Sequence, residues 1–294
     1  METMSRIVLG GPSLSILDQS ALNKFLAVAE EAGIQRIDTR HEYNELQLKI
    51  GVYLNGKDKF VVNSKVGHPF TSELTPREIQ TSVEKSLKEL RVERIGTLFL
   101  HSLHKSSFTQ ENILKLVDLQ RQGKISRFGY SGDGDNLAVA IEVDEFKDLM
   151  FTCNLLDQQN LELEKLIDSS RQIDYKIPLA QAIWRTLEFQ KRIASASLAR
   201  KLFKKPPLPD TWIDYKVRFE VMKDVSQNKE YFEDFLKFAL FHGNARQFVT
   251  IGTTSVGHLR KAVSVEHTGA DVKEVENFRT FWLARRLPNW TPHL

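Results

Sequence analysis

The sequence predicts a single-domain (β/α)8 barrel of the α/β class, a TIM barrel spanning residues 1–294. Three observations lead there. Short β-branched runs alternate with longer amphipathic segments roughly every 30 residues, the rhythm of repeated βαβ units. Eight such runs can be counted, and their apolar faces read as nearly continuous, as parallel strands covered on both sides require. An open doubly wound sheet would need a glycine-rich fingerprint after its first strand, and Leu9-Gly10-Gly11-Pro12 does not supply one.

The first strand is expected at 7–10. A helix over 20–32 follows, apolar at Leu22, Phe25, Leu26 and Ala29 and stopped by Gly33. The second and third strands are 34–38 and 60–65. Thr75-Pro76-Arg77-Glu78 then combines an N-cap, a first-turn proline and a capping-box glutamate ahead of a helix over 79–90. The fourth strand is 95–101, and the helix over 109–122 carries Ile113, Leu116, Val117 and Leu119 before Gly123 ends it. Strands at 125–131 and 150–154 precede helices over 137–141 and 161–170, and a seventh strand is expected at 176–180. Residues 184–231 form the longest irregular stretch, with a helical pattern over 187–203 that Pro206, Pro207 and Pro209 break. An insertion of this kind on a barrel rim reads either as a lid or binding loop or as an irregular excursion. A helix over 232–241, a last strand at 248–251 and a helix over 256–263 complete the pattern.

Composition bounds the function. Apolar content of 41% and charged content of 27% are those of a globular protein with a real core. A formal charge of +3 is too small for a nucleic-acid partner but comfortable for an anionic small ligand. No apolar run approaches the ~20 residues of a membrane span, and Met1–Gly11 lacks the regions of a signal peptide. The single cysteine, Cys153, excludes an internal disulfide and any multi-cysteine metal site. His41-Glu42 lacks the second histidine of a zinc-protease helix, so no metal is expected. A cytoplasmic, reducing setting follows as the expectation.

Asp38, Tyr43, Lys65 and His101 stand at or just past the ends of expected strands, where a parallel barrel keeps its chemistry. A phenol is a poor acid at neutral pH, since its ordinary pKa is near 10. A lysine ammonium beside it stabilises the phenolate and lowers that value, and a carboxylate keeps the lysine charged and aimed. A neutral histidine can donate a hydrogen bond to a carbonyl. These are the parts needed to hand a proton to a developing alkoxide. A hydride must come from a cofactor. Each residue alone also has a plain reading: a turn aspartate, a rim aromatic, a surface cation, a packed histidine.

The four together resemble the catalytic tetrad of the aldo-keto reductase family. Gly33-Ile34-Gln35-Arg36-Ile37-Asp38-Thr39-Arg40-His41-Glu42-Tyr43 is similar to the family signature that pairs an aspartate with a tyrosine five residues on. Asn63-Ser64-Lys65 resembles the lysine strand, and residues 82–90 with Leu98-Phe99-Leu100-His101-Ser102 resemble the next helix and the histidine strand. Residues 123–131 are similar to the stretch leading to a cofactor-contacting serine, here Ser131. Residues 153–158 and 251–259 resemble the later strands and the adenosine-phosphate loop. The resemblance implies an NADP(H)-dependent reductase of a small-molecule aldehyde or ketone, with sugars among the candidates. Tyr43 would be the general acid, Asp38 and Lys65 its tuning pair, and His101 the group orienting the carbonyl. Cofactor contacts would fall on Ser131, Gly132, Asn154, Gln181, Gly252, Thr253, Thr254, His258 and Lys261. His258, Arg260 and Lys261 would meet a ribose 2′-phosphate, which favours NADPH over NADH.

The sequence also departs from the family pattern. Gly132 replaces the asparagine expected after Ser131, Met150 replaces a sixth-strand glutamine, and Gln181 stands near the ring-stacking position of the seventh strand. In the adenosine loop Ile251 replaces a proline, Ala262 an asparagine and Lys261 an acid. Each change removes a hydrogen bond or stacking face worth on the order of 1 kcal/mol. Two further readings therefore stay open: a nucleotide- or partner-binding protein with little turnover, and a sugar-modifying enzyme without net reduction. Lys201, Lys204 and Lys205 are candidates to clamp a pyrophosphate, or are simply solvated. Trp184, Trp282 and Trp290 are candidates to line a substrate pocket, or are packing residues.

Overall fold

The computed structural model describes residues 4–43, 45–67, 74–185, 231–243 and 247–284. Eight parallel strands close into a barrel in strict sequence order, β1 pairing with both β2 and β8. They are β1 (Ile7–Gly10), β2 (Arg36–Asp38), β3 (Val61–Val66), β4 (Ile95–His101), β5 (Ile125–Ser131), β6 (Asp148–Thr152), β7 (Gln172–Lys176) and β8 (Phe248–Ile251). The helices are α1 (Gly11–Leu14), α2 (Gln19–Glu31), α3 (Leu46–Leu54), α4 (Pro76–Leu90), α5 (Gln110–Arg121), α6 (Gly134–Ile141), α7 (Leu161–Glu164), α8 (Phe232–Phe241), α9 (Val256–Thr268) and α10 (Val272–Leu283). The expected loop insertion at 184–231, the lysines within it and Trp290 lie largely or wholly outside the described residues.

Capping chemistry sets the helix ends. Thr75 accepts from the Glu78 amide while Glu78 reaches back to the Thr75 amide, the full capping box. Asp18, Thr109, Ser255 and Asp271 cap α2, α5, α9 and α10 from one side only, each side chain accepting from a first-turn amide.

Two expectations are corrected, and of the two readings of Trp282 the packing one holds. The seventh strand ends at Lys176 instead of starting there; Pro178 follows, and Ile177, Ala180, Gln181 and Ala182 all take positive φ, which no strand accommodates. The helix after β6 stops at Glu164, past which Leu166 N donates to Leu163 O and Ile167 N to Glu164 O in tighter three-residue turns, and Asp168 then accepts from the Ser170 amide at 2.8 Å ahead of β7. Trp282 lines no pocket: it is fully buried, edge-on to Tyr231 and Phe235, and joins α8 to α10.

The barrel interior is also polar where the strand runs looked uniformly apolar. Thr97 of β4 reaches past β5 to donate to Asp148 of β6, and its amide donates to Asn63 Oδ1 at 2.9 Å. Thr250 donates to Asp174 Oδ1 at 2.7 Å, and the Arg36 guanidinium lies 4.1 Å from the Phe248 ring centroid. Leucine, isoleucine and valine on the outward faces pack against the helices, while a hydrogen-bonded polar column fills the centre.

Candidate active site

Register brings the sequence candidates to one rim. Asp38 ends β2 beside Asn63, Lys65 of β3 pairs with Phe99, and His101 ends β4 beside Ser131, which in turn pairs with Met150. Past β2, the Thr39 amide continues the ladder to Asn63 O at 3.0 Å. The chain then turns, with Tyr43 N donating to Arg40 O at 3.1 Å, and Leu46 starts α3 from Tyr43 O at 2.7 Å. This turn carries Tyr43 back over β1. Its ring lies so close to Gly11 that a Cβ there would stand 2.8 Å from Tyr43 Cδ2 and 2.8 Å from Asp38 O. Gly11 is thus a site-building residue that the sequence reading passed over.

Lys65 Nζ donates to Asp38 Oδ2 in a short, buried ion pair. Burial alone would push the ammonium down, but Asp38 and Tyr43 facing it leave Lys65 above the usual lysine range, and so charged. Burial pushes the Asp38 carboxyl up, against the pull of Lys65. Tyr43 is half-buried, and burial raises its phenol above the ordinary value although Lys65 and Arg40 pull it down. The expected lowering is therefore corrected: desolvation outweighs the lysine, and the hydroxyl is held protonated. Asp174 of β7, which pairs with Met150, is pushed up to about 7 by burial and by the charge of Asp38.

Arg40 is a second residue missed from sequence. It is buried, and its Nη1 lies 3.0 Å from His101 Nδ1. Its Nη2 donates to Gly67 O at 2.8 Å and pairs with Glu42. A charge in the middle of a turn gives no sequence signal of this kind; only the fold brings it to His101.

The other candidates occupy the β5–β8 side. Ser131 is fully buried, and among the described residues its Oγ has no hydrogen-bond partner. Gly132 donates its amide to Met150 O at 3.0 Å, and a Cβ there would strike Tyr130 Oη at 2.1 Å. Met150 is buried and offers no hydrogen bond. Asn154 is taken up locally: Nδ2 donates to Ile177 O at 3.1 Å, and Oδ1 accepts from the Leu156 and Asp157 amides, each at 2.9 Å. Gln181 sits on an exposed turn beyond β7. The residue at the end of that strand is Lys176, whose Nζ lies 2.9 Å from Asp133 Oδ2. Gly252, Thr253 and Thr254 lead into the N-terminus of α9, where Thr253 Oγ1 accepts from Ser255 N at 3.1 Å. His258 stacks on Phe232 at 5.1 Å, and Lys261 pairs with Glu233 at 3.1 Å.

The resemblance implies a nicotinamide dinucleotide, and the β5–β8 residues fit one at two points. Ser131 leaves a buried hydroxyl unmet, as a hydrogen-bonding ligand requires, and the 252–255 segment opens a thirteen-residue helix whose positive end favours phosphate. A separate cleft of about 930 Å³, lined by residues such as Lys59, Arg91 and Arg94, opens at the start of β3 to β5, the end of the barrel away from these groups.

Comparison with known proteins agrees with this arrangement. The Aldo/keto reductase family matches residues 6–177. Human aldo-keto reductase family 7 member A3 is 29% identical over 107 residues, 34% of this chain and 32% of the relative, so the match spans about a third of that protein's length. Aldo-keto reductase AKR11C1 from Bacillus halodurans, in its holo form, superposes with a TM-score of 0.72 at 19% identity, covering 97% of this chain and 95% of its own. An aldo-keto reductase from Klebsiella pneumoniae in complex with NADPH gives a TM-score of 0.68 at 16% identity, covering 98% and 94%. Likeness at these identities establishes the shared barrel. The family match over 6–177 takes in Asp38, Tyr43, Lys65, His101 and Ser131 on their strand ends, and on that ground the chain belongs to the aldo/keto reductase family.

Proposed function

We propose that the protein is an NADP(H)-dependent oxidoreductase that reduces a small aldehyde or ketone, with Tyr43 as general acid. The observation that carries this reading is the buried Asp38–Lys65 ion pair on the same rim as a half-buried Tyr43. A binding protein has no evident need for a charged lysine held under a neutral phenol.

The residues divide the work. His101 orients the carbonyl by donating a hydrogen bond. Tyr43 gives its proton to the carbonyl oxygen as negative charge gathers there. Lys65, kept charged by Asp38, stabilises the phenolate left behind, which solvent then reprotonates. A bound nicotinamide would supply the hydride. Ser131 would hold its ring end, and Gly252, Thr253 and Thr254 its phosphates. His258 and Lys261 stand near the start of α9, where a 2′-phosphate would favour NADPH over NADH; Lys261 would have to exchange Glu233 for it. The NADPH named with the Klebsiella pneumoniae structure supports the same choice. A cytoplasmic setting is part of this proposal; among the described residues no helix is long and apolar enough to cross a membrane.

A second reading, nucleotide or partner binding with little turnover, is favoured by one feature. Gly132 and Met150 offer no side-chain hydrogen bond at the ring end, and Asn154 already bonds the backbone of Ile177, Leu156 and Asp157. Fluorescence titration with NADPH and NADH, followed by an aldehyde panel, separates the two. Binding with turnover supports the reductase. Binding without turnover on any aldehyde supports the second reading.

A further inference from the structure

We propose that Arg40 is a positioning residue that holds His101 as its neutral Nε2–H tautomer. The inference rests on the reading above that His101 orients the carbonyl. Arg40 Nη1 lies 3.0 Å from His101 Nδ1. A guanidinium only donates hydrogen bonds and does not lose its proton in proteins. The nitrogen facing it must therefore be the acceptor, without a hydrogen. That leaves the single ring proton on Nε2, the nitrogen turned away from Arg40.

The setting argues that this contact is more than packing. Burying a guanidinium is costly unless its charge is well paired. Here the Arg40 side chain is 7% exposed while its partner Glu42 is 47% exposed, so the pair is only half desolvated. Arg40 Nε is buried with no acceptor among the described residues, a further cost. What the side chain does gain is a bridge across the tetrad. It leaves the turn between Asp38 and Tyr43, bonds Gly67 O two residues past Lys65, and ends on His101. One planar fork thereby ties together the three strand ends that carry the four residues. It also opposes a second proton on His101, since a protonated Nδ1 would confront a donor with a donor.

The test reads His101 directly. In the intact protein with ¹⁵N-labelled histidine, one- and two-bond ¹H–¹⁵N correlations of the ring report which nitrogen carries hydrogen, and His101→Gln assigns the signals. The wild type should show a single neutral Nε2–H form at neutral pH. Arg40→Met should give a mixture of tautomers and a kcat/KM lower by about 10- to 100-fold, with NADPH affinity unchanged. Arg40→Lys, which keeps a cationic donor, should retain most of the Nε2–H form and recover part of the rate. Hydrogen on Nδ1 of His101 in the wild type, or a ring spectrum that Arg40→Met leaves unaltered, overturns the proposal. If Arg40→Met does not fold, the wild-type and Arg40→Lys spectra still decide. Because the spectra need neither cofactor nor turnover, failure here is distinguishable from failure of the reductase reading.

Discussion

The β2–β4 side of the rim and the β5–β8 side are built differently. On the first, Asp38 pairs with Lys65, Arg40 faces His101, and the Tyr43 ring lies against the bare backbone of Gly11. On the second, Ser131 Oγ has no partner among the described residues, Met150 offers no hydrogen bond, Asn154 serves the backbone, and Lys176 with Asp133 stands at the end of β7. The family match covers 6–177, so it spans the whole proton-handling side and ends before the segment at 252–261. Under the proposed function, the contrast teaches that the protein itself preorganises proton delivery, whereas a ligand would complete the hydride side. Pre-arranged charge is what makes a buried donor effective, because it need not reorganise during the reaction.

The largest way to break the contrast is Lys65→Met. It strands the Asp38 carboxylate in a buried site, and the loss of stability should be about 3–5 kcal/mol in a denaturant titration. Asp38→Asn with Lys65→Met together should restore much of it; a double variant as unstable as the single would show that the pair is not the source.

A next test uses pH. Asp174 titrates at about 7 when folded against about 4 when unfolded, so the native state holds a proton that the unfolded chain has released. Its contribution to stability is therefore full below pH ~4, falls as pH rises toward 7, and stays lost above. Asp174→Asn, an isostere of the protonated acid, should remove this decline, gaining on the order of a few kcal/mol relative to wild type between pH 5 and pH 8. Parallel pH profiles for the two proteins would show that the Asp174 charge is well compensated.

Smaller again is Gly11→Ala. Its Cβ would meet the Tyr43 ring and Asp38 O at 2.8 Å, so the ring must move. Overpacking of this order costs about 1–3 kcal/mol, and turnover should fall more than cofactor affinity. Unchanged kcat would mean that Tyr43 has slack. The smallest effect lies on the other side of the rim: Lys261→Ala should weaken NADPH by several-fold and leave NADH alone, since it removes one charged contact worth about 1 kcal/mol. Equal weakening of both cofactors would remove the 2′-phosphate role.

The same two sides differ in how much the sequence disclosed. The strands at 7–10, 95–101, 125–131 and 248–251 begin and end where their apolar runs do. Asp38, Lys65 and His101 were legible because each stands at or next to a strand end, and Tyr43 because it follows Asp38 by five residues. β7 was misplaced because its inward residue Asp174 belongs to the polar column and makes Gln172–Lys176 read as a loop. Lys176 was lost with it. α3 has no counterpart among the expected helices; in the fold a Cβ at Gly51 would strike Glu89 O of α4 at 2.1 Å, so the glycine permits the two helices to approach. Gly11 and Arg40 act across turns, and no local pattern records which strand end a turn will face.

The most direct test of the preorganised proton side combined with a ligand-completed hydride side is a single-turnover experiment with enzyme in excess over NADPH and an aldehyde, run on wild type and on Tyr43→Phe. The expectation is that both proteins bind NADPH with nearly equal affinity, while oxidation of the nicotinamide is slower in Tyr43→Phe by about 10²–10⁴-fold. Failure of wild type to bind NADPH at ~1 mM, or equal oxidation rates in the two proteins, would contradict it.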